Sequence, residues 1–113
     1  MRLLHTMLRV GNLDRSISFY TDVLGMRLLR KRDNEQYRYT LAFVGYQDEP
    51  EGTVLELTYN WDSEEQYTVG RNFGHLAFEV DNIYAICQRL MDAGVTINRP
   101  PRCGHMAFVK SPD

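Results

Sequence analysis

The chain has 113 residues, the length of one small domain, and can bury roughly two-thirds of the surface that it exposes when unfolded. Its 13 basic and 15 acidic residues give a net charge of −2, and the basic residues form no run that could follow a phosphate backbone, so no nucleic-acid partner is expected. Two cysteines are too few for a disulfide framework, which favours a cytoplasmic protein. No signal peptide or membrane association is expected, because no apolar run is long enough.

Residues 1 to 60 predict one strand, one helix and three further strands. The helix is expected from about 14 to 24, with Asn12 or Asp14 as its N-cap and Gly25 as its terminator. Polar turn segments separate the later strands. The predicted strands are residues 2 to 10, 26 to 32, 37 to 46 and 53 to 60. This half is therefore predicted to be a βαβββ module.

The pattern begins again after a polar linker, residues 61 to 72. With an offset of 70, His75 falls on His5 and Asn82 falls on Asn12, which indicates an internal duplication. The second module, predicted over residues 73 to 113, continues with a helix and with strands at 95 to 98 and 105 to 110. The sequence thus predicts an α+β fold of two tandem βαβββ modules, the second incomplete because its last strand is missing.

A carboxylate, Glu56, lies in the middle of the apolar strand TVLELTYN. Strand alternation puts it on the face opposite the leucines, a face that is usually wetted by solvent. If it is buried, its charge is very costly unless it is paired or coordinated. His5 and His75 are each typical of a hydrogen-bonded imidazole when taken alone, but they share one repeat position. Two imidazoles and a carboxylate predict a site for a divalent transition metal. His105 has no repeat equivalent and is interpreted as a surface or structural residue.

Polar residues follow two of these candidates on the same strand face. Arg9 lies four residues after His5, and Asn60 lies four residues after Glu56. Each is about 13 Å from the expected metal. A guanidinium and an amide at this distance suit the far end of an extended, anionic substrate. Three more arginines could bind the same end of the substrate, or could simply be solvated on the surface. They are Arg71, Arg99 and Arg102.

Three stretches, HTMLRVGNLDRSISFYTDVLGM, TVLELTYNW and GHLAFEV, resemble the glyoxalase I (lactoylglutathione lyase) family of the vicinal oxygen chelate superfamily, especially its short bacterial form. The resemblance covers nearly the whole chain. It implies the isomerisation of the methylglyoxal–glutathione hemithioacetal to S-D-lactoylglutathione, which detoxifies methylglyoxal. The implied metal ligands are His5, Glu56 and His75, with Glu56 also the base. Implied glutathione residues are Arg9, Asn60 and Arg71, more weakly Arg99 or Arg102, and the implied pocket lining, which is otherwise core, is Leu41, Phe43, Met106 and Phe108.

The resemblance also implies how the site works and assembles. The metal acts as a Lewis acid on an enediolate while a carboxylate moves the proton. A histidine at position 5 resembles the class activated by Ni²⁺ or Co²⁺ rather than by Zn²⁺, although these ligands suit all three metals. A homodimer is implied, with His5 and Glu56 from one subunit and His75 from its partner.

The family pattern continues with DPDG and a strand whose glutamate is the fourth ligand and a catalytic base. Because the sequence stops at Asp113, the natural protein is expected to be longer; the chain as written would bind metal poorly and turn over slowly or not at all. Two other functions stay open within the fold. One is an Fe²⁺ extradiol dioxygenase, which two histidines and one glutamate would fit, and the other is a metal-free resistance protein that binds small molecules.

Overall fold

The computed structural model describes residues 1–101 and 104–110. Strands and helices follow the predicted order, strand, helix and three strands, then strand, helix and two strands. The α+β class is therefore confirmed. The elements are β1 (Arg2–Arg9), α1 (Leu13–Ser18), a π-helix (Phe19–Val23), β2 (Arg27–Asn34), β3 (Tyr39–Gly45), β4 (Val54–Asn60), α2 (Val69–Asn72), β5 (Phe73–Glu79), α3 (Ile83–Asp92), β6 (Ile97–Arg99) and β7 (Phe108–Val109).

The chain forms two compact units. One comprises residues 3–78, and the other comprises residues 1–2 and 79–113. The predicted division into residues 1–60, 61–72 and 73–113 stays a prediction, and the predicted linker contains the short helix α2. In the described part of the chain, none of the helices has the length and apolar character needed to cross a membrane.

Both predicted helix starts are capped by the asparagines that the repeat aligns. Asn12 accepts a hydrogen bond from the backbone N–H of Arg15, and Asn82 accepts from those of Tyr84 and Ala85, all at 3.0 Å. The two caps have nearly the same backbone angles, φ −139° and ψ 102° against φ −141° and ψ 108°. The repeat therefore extends to local conformation.

The predicted terminator Gly25 lies in the left-handed region, with φ 74°, and Gly94, which follows α3, does so with φ 83°. Other details differ from the prediction. The helix expected from 14 to 24 is α1 followed by a π-helix, because the chain shifts to i→i+5 hydrogen bonding such as Leu24 N–H to Phe19 O, at 3.2 Å. The last two strands are shorter than predicted and form a two-stranded antiparallel sheet.

A five-stranded sheet, in the order β2-β3-β4-β1-β5, positions the candidate site. β1 pairs with β4 in parallel, and β4 pairs with β3 and β3 with β2 in antiparallel fashion. In this register Glu56 lies opposite Met7 on one side and Phe43 on the other, and Phe43 lies opposite Arg30. Paired residues share a face. Arg30, Phe43, Glu56 and Met7 therefore form one row across four strands.

Both faces of this sheet are packed. On the face that α1 covers, Leu57 and Val44 are fully buried with Val10 and Leu13. The opposite face carries a second buried cluster of Leu41, Phe43 and Val54. Glu56 lies on that second face and is only 7% exposed. Glu56 is therefore not wetted by solvent, and its burial is what the hypothesis of a paired or coordinated carboxylate requires.

A cavity in the buried cluster beneath α1 is expected to destabilise the fold. Leu57 is 0% exposed, so Leu57→Ala is expected to lower the free energy of unfolding by about 2–5 kcal/mol, through lost transfer energy and an unfilled cavity. Urea titration measures this difference. The matched control is Leu28→Ala, at a residue that is 44% exposed, with an expected change of about 0.5 kcal/mol. Equal losses in the two variants would contradict this description of the core.

Candidate metal centre

The three metal candidates lie on three adjacent strands of the compact unit 3–78. β4 carries Glu56, β1 carries His5 and β5 carries His75, with β1 in the middle. Strand pairing brings these positions close together without any loop, with Met7, two residues after His5, directly opposite Glu56. Sites on regular elements are positioned more accurately than sites on loops. The sheet therefore supplies a rigid frame for the triad.

The ligand atoms of the triad converge on one point. His5 Nε2 lies 2.6 Å from Glu56 Oε2 and 3.2 Å from His75 Nε2. His75 Nε2 lies 3.6 Å from the same carboxylate oxygen. In the described residues the three side chains form a group whose ligand atoms all lie within 4.8 Å of one another. Their role as ligands stays a prediction, but the structure brings together the set that the sequence named.

The donor set fits a divalent transition metal. Ligand atoms that bind one such cation at about 2.0–2.2 Å stand about 3 Å apart. The observed separations of 2.6, 3.2 and 3.6 Å are close to this value. One proton between the two imidazole nitrogens can satisfy only one of the three contacts, whereas a cation satisfies all three. Nitrogen and carboxylate ligands suit Ni²⁺, Co²⁺, Fe²⁺ and Zn²⁺.

The protonation state of the site also favours a cation. Burial lowers the pKa of the His75 imidazole, and although the Glu56 carboxylate opposes this shift, His5 and Arg9 add to it. His75 is therefore neutral at neutral pH, the form that binds metal. Glu56 is buried, while His75 is half-exposed. The carboxylate is therefore the least exposed of the three side chains, and the His75 imidazole is the most exposed.

Two further side chains extend this packing, since Phe43 lies next to the His5 ring and Arg30 stacks on Phe43. The ring of Phe43 meets the His5 ring edge-to-face, with centroids 5.9 Å apart and an interplanar angle of 79°. The Arg30 guanidinium lies 3.6 Å above the Phe43 ring and forms two hydrogen bonds to Glu49, at 2.6 and 3.0 Å. The bond to Glu49 raises the pKa of Arg30, and the Glu56 charge adds to it. Sequence reasoning missed Arg30, because its register with Phe43 and Glu56 is set by strand pairing that the sequence alone does not show.

A sequence model of the Glyoxalase/Bleomycin resistance protein/Dioxygenase superfamily matches residues 2–113. The chain belongs to this superfamily. The chain is 57% identical over 117 aligned residues to a probable lactoylglutathione lyase of Vibrio parahaemolyticus, covering 99% of this chain and 84% of that protein. It is 54% identical to a lactoylglutathione lyase of Neisseria meningitidis, covering 100% and 85%. The predicted resemblance to the glyoxalase I family is therefore confirmed.

Solved structures of the superfamily agree. The trypanothione-dependent glyoxalase I of Leishmania major is 45% identical, with a TM-score of 0.57, and the match covers 100% of this chain and 81% of that one. The relatives are thus lactoylglutathione lyases, which is the enzyme class predicted from the sequence. The fold predicted from the resemblance is likewise that of the superfamily.

The predicted substrate residues of the unit 3–78 are engaged with the chain's own groups. The Arg9 guanidinium donates to the carbonyl oxygen of Phe73 at 2.8 Å, and Arg71 pairs with Glu65 at 3.0 Å. Asn60 donates to the hydroxyl of a tyrosine in the predicted linker at 3.5 Å. An anionic substrate must therefore compete with these contacts. Their roles in binding stay predictions.

The predicted lining residues fall into two groups. Leu41 and Phe43 are buried on the same sheet face as Glu56, as lining residues of the triad must be. Met106, Phe108 and Arg99 belong to the other compact unit, where Met106 is exposed and Arg99 lies 5.4 Å from the Phe108 ring. Arg102 lies outside the described residues. These assignments also stay predictions.

The triad comes together within the single chain of this structure, where β1, β4 and β5 belong to one sheet. The family resemblance implied instead that His75 would come from a partner subunit. That division of the triad between two subunits stays a prediction.

Two cavities flank the sheet in the unit 3–78. One, of about 640 Å³, is lined by Lys31, Asp33, Thr40 and Tyr59 among others. The other, of about 460 Å³, is bordered by Arg9. Neither lining includes the triad. The second cavity therefore adjoins Arg9, one of the predicted substrate residues, rather than the metal candidates.

Proposed function

We propose that the protein is a metal-dependent glyoxalase I, which isomerises the hemithioacetal of methylglyoxal and glutathione to S-D-lactoylglutathione. The convergence of His5, Glu56 and His75 at one point of the sheet supports this proposal most strongly. The relatives named lactoylglutathione lyase, above 50% identity and over nearly the whole chain, support it independently. Its biological role would be methylglyoxal detoxification in the cytoplasm.

The triad would hold one divalent cation, with Ni²⁺ or Co²⁺ favoured and Zn²⁺ as the alternative. The preference rests on the family resemblance of a histidine at position 5. When bound, the cation supplies Lewis acidity that stabilises negative charge on the substrate oxygens. His5 and His75 contribute neutral nitrogen ligands, and the pKa shift of His75 keeps its imidazole in that state.

Glu56 is the proposed base. The reaction moves the C–H proton from the carbon bonded to sulfur to the neighbouring carbon, and the hydroxyl proton of the first carbon to the oxygen of the second. The first carbon thus becomes the thioester carbonyl and the second becomes the alcohol, with no net redox change. A carboxylate can carry out both transfers if it lies within about 2.6–3.2 Å of the proton that it takes. Glu56 is buried in the middle of β4, so its carboxylate is shielded from bulk water.

Arg9 and Asn60 are proposed to bind the glutathione end. Both follow a triad residue along the same strand, and Arg9 borders the cavity of about 460 Å³. A guanidinium binds a carboxylate with two parallel hydrogen bonds. Arg71, Arg99 and Arg102 are weaker candidates for this role, and Leu41, Phe43, Met106 and Phe108 are proposed to line the site around the methylglyoxal part.

The substrate is tested by thioester formation. Purified protein loaded with Ni²⁺ is mixed with methylglyoxal and either glutathione, trypanothione or no thiol, and absorbance near the thioester band is followed. Thioester should form with glutathione, and trypanothione tests the thiol named for the Leishmania relative. No thioester with either thiol would contradict the proposed activity.

A homodimer is also part of the proposal, as the resemblance implies. Sedimentation equilibrium measures the mass directly, and a dimer has twice the mass of the 13.2 kDa chain. A monomer that is fully active would contradict the dimer while leaving the chemistry intact.

An Fe²⁺ extradiol dioxygenase is the second candidate, because two histidines and one glutamate are the facial ligand set of such enzymes. It predicts ring opening of a catechol in the presence of Fe²⁺ and O₂. The metal-free binding protein, in turn, predicts ligand binding that is indifferent to chelator. Either result, with no thioester formation, would replace the glyoxalase I proposal.

A further inference from the structure

Reciprocal side-chain hydrogen bonds connect the start of β5 to the end of β1. The Asn72 side-chain amide donates to the backbone carbonyl oxygen of Arg9. In return, the Arg9 guanidinium donates to the carbonyl oxygens of Phe73, at 2.8 Å, and Arg71, at 3.4 Å. Each side chain thus satisfies backbone groups of the other segment. The backbone entering β5 is therefore fixed at the residue that follows α2.

A close approach follows one residue further along. A Cβ atom placed on Gly74 would lie 2.4 Å from Sδ and Cε of Met7 and 3.0 Å from the Met7 carbonyl oxygen. Any side chain at position 74 must therefore displace the buried Met7 thioether and press on the β1 backbone. Glycine permits close approaches of this kind because it has no Cβ.

These contacts flank the two histidines. His75 directly follows Gly74, and Met7 lies two residues after His5 on the same strand face. The spacing that Asn72 and Gly74 impose between β1 and β5 is therefore the spacing on which the 3.2 Å separation of the two Nε2 atoms depends. A shift of β5 moves His75 away from His5 and Glu56 without altering any ligand.

We propose that Asn72 and Gly74 are positioning residues that place His75 at the metal centre. Neither residue supplies a ligand atom, and neither emerged from the sequence analysis. This inference rests on the proposed function for the metal itself, but the strand spacing exists in the metal-free protein.

The experiment compares two Asn→Ala variants that each remove one side-chain bond to the backbone. Asn72→Ala removes the bond to Arg9, and Asn12→Ala removes the bond to Arg15 at the helix side of the sheet. Ni²⁺ affinity is measured by competition with a chromophoric chelator. Asn72→Ala is expected to weaken it about 10-fold, the usual scale for groups that orient metal ligands, and Asn12→Ala to leave it unchanged. The visible absorption bands of bound Co²⁺ should shift in Asn72→Ala alone.

Gly74→Ala is the second variant, and it should weaken Ni²⁺ binding in the same way by pushing β5 off Met7. Unchanged affinity in both variants would overturn the inference. Equal losses in Asn72→Ala and Asn12→Ala would also overturn it, since they would indicate general destabilisation.

Hydrogen exchange of the metal-free proteins separates this inference from the proposed function. Amides of residues 74–78 should exchange faster in Asn72→Ala than in the wild type, while those of β4 should not change. Exchange identical to the wild type would overturn the positioning role. If wild-type protein binds no Ni²⁺, the proposed function fails, whereas faster exchange in residues 74–78 still supports the role of Asn72.

Discussion

Glu56→Gln is expected to lower metal-supported turnover of the hemithioacetal by about 10³-fold, because the glutamine amide neither accepts the proton nor supplies the anionic ligand. The side chain keeps nearly the same shape and can still accept a hydrogen bond from His5, which lies 2.6 Å away. The fold should therefore survive. Steady-state rates at saturating Ni²⁺ measure the effect, and circular dichroism verifies the fold.

Glu51→Gln is the matched control. Glu51 is exposed in the turn between β3 and β4, and its replacement should change the rate by less than about twofold. If Glu56→Gln kept a third or more of the wild-type rate at saturating Ni²⁺, Glu56 would be neither base nor essential ligand. The mechanism proposed for this site would then be contradicted.

Removal of the metal is expected to abolish activity, and Ni²⁺ or Co²⁺ should restore it more fully than Zn²⁺. Binding should also stabilise the fold. A ligand at 100 times its Kd adds about 2.7 kcal/mol, which raises the Tm of a domain of this size by roughly 10 °C. Calorimetry of the chelator-treated protein, before and after addition of each metal, measures both effects.

Two histidine variants provide the comparison for this prediction. His75→Ala should remove most of the Ni²⁺-induced rise in Tm, because it removes one of three ligands. His105→Ala should keep the rise, since His105 has no repeat equivalent and lies in the other compact unit. Activity that is indifferent to chelator, or a rise lost equally in both variants, would contradict a metal centre at the triad.

The features best predicted from the sequence are those that strand alternation and the internal repeat determine. The repeat aligned Asn12 with Asn82, and both cap helices with nearly equal backbone angles. It also aligned His5 with His75, whose ring nitrogens lie 3.2 Å apart. Strand alternation alone placed Glu56 on a face that is usually exposed to solvent, so its burial could be argued only from the two histidines expected beside it.

Other features depend on interactions that no local pattern reports. The π-helix depends on i→i+5 hydrogen bonds, which apolar periodicity does not distinguish from those of an α-helix. The repeat made β1 and β5 equivalent but could not say whether they would pair within one chain or between two. The positions of Asn72 and Gly74 acquire meaning only once these strands are known to be neighbours.

The same limit applies to the substrate residues. Their spacing along β1 and β4 could be read from the sequence, but the partners of their side chains could not. Arg9 was predicted as a clamp for a substrate carboxylate, and in the structure its guanidinium holds backbone carbonyls at the start of β5. Arg71 is likewise paired with Glu65.

The central claim is that His5, Glu56 and His75 bind one divalent cation. A crystal structure of the Ni²⁺-loaded protein, with anomalous data collected at the nickel absorption edge, tests it most directly. One strong peak is expected, bonded to Nε2 of both histidines and to a carboxylate oxygen of Glu56, at about 2.0–2.2 Å. A nickel peak elsewhere, with these three side chains left in contact with one another, would contradict it.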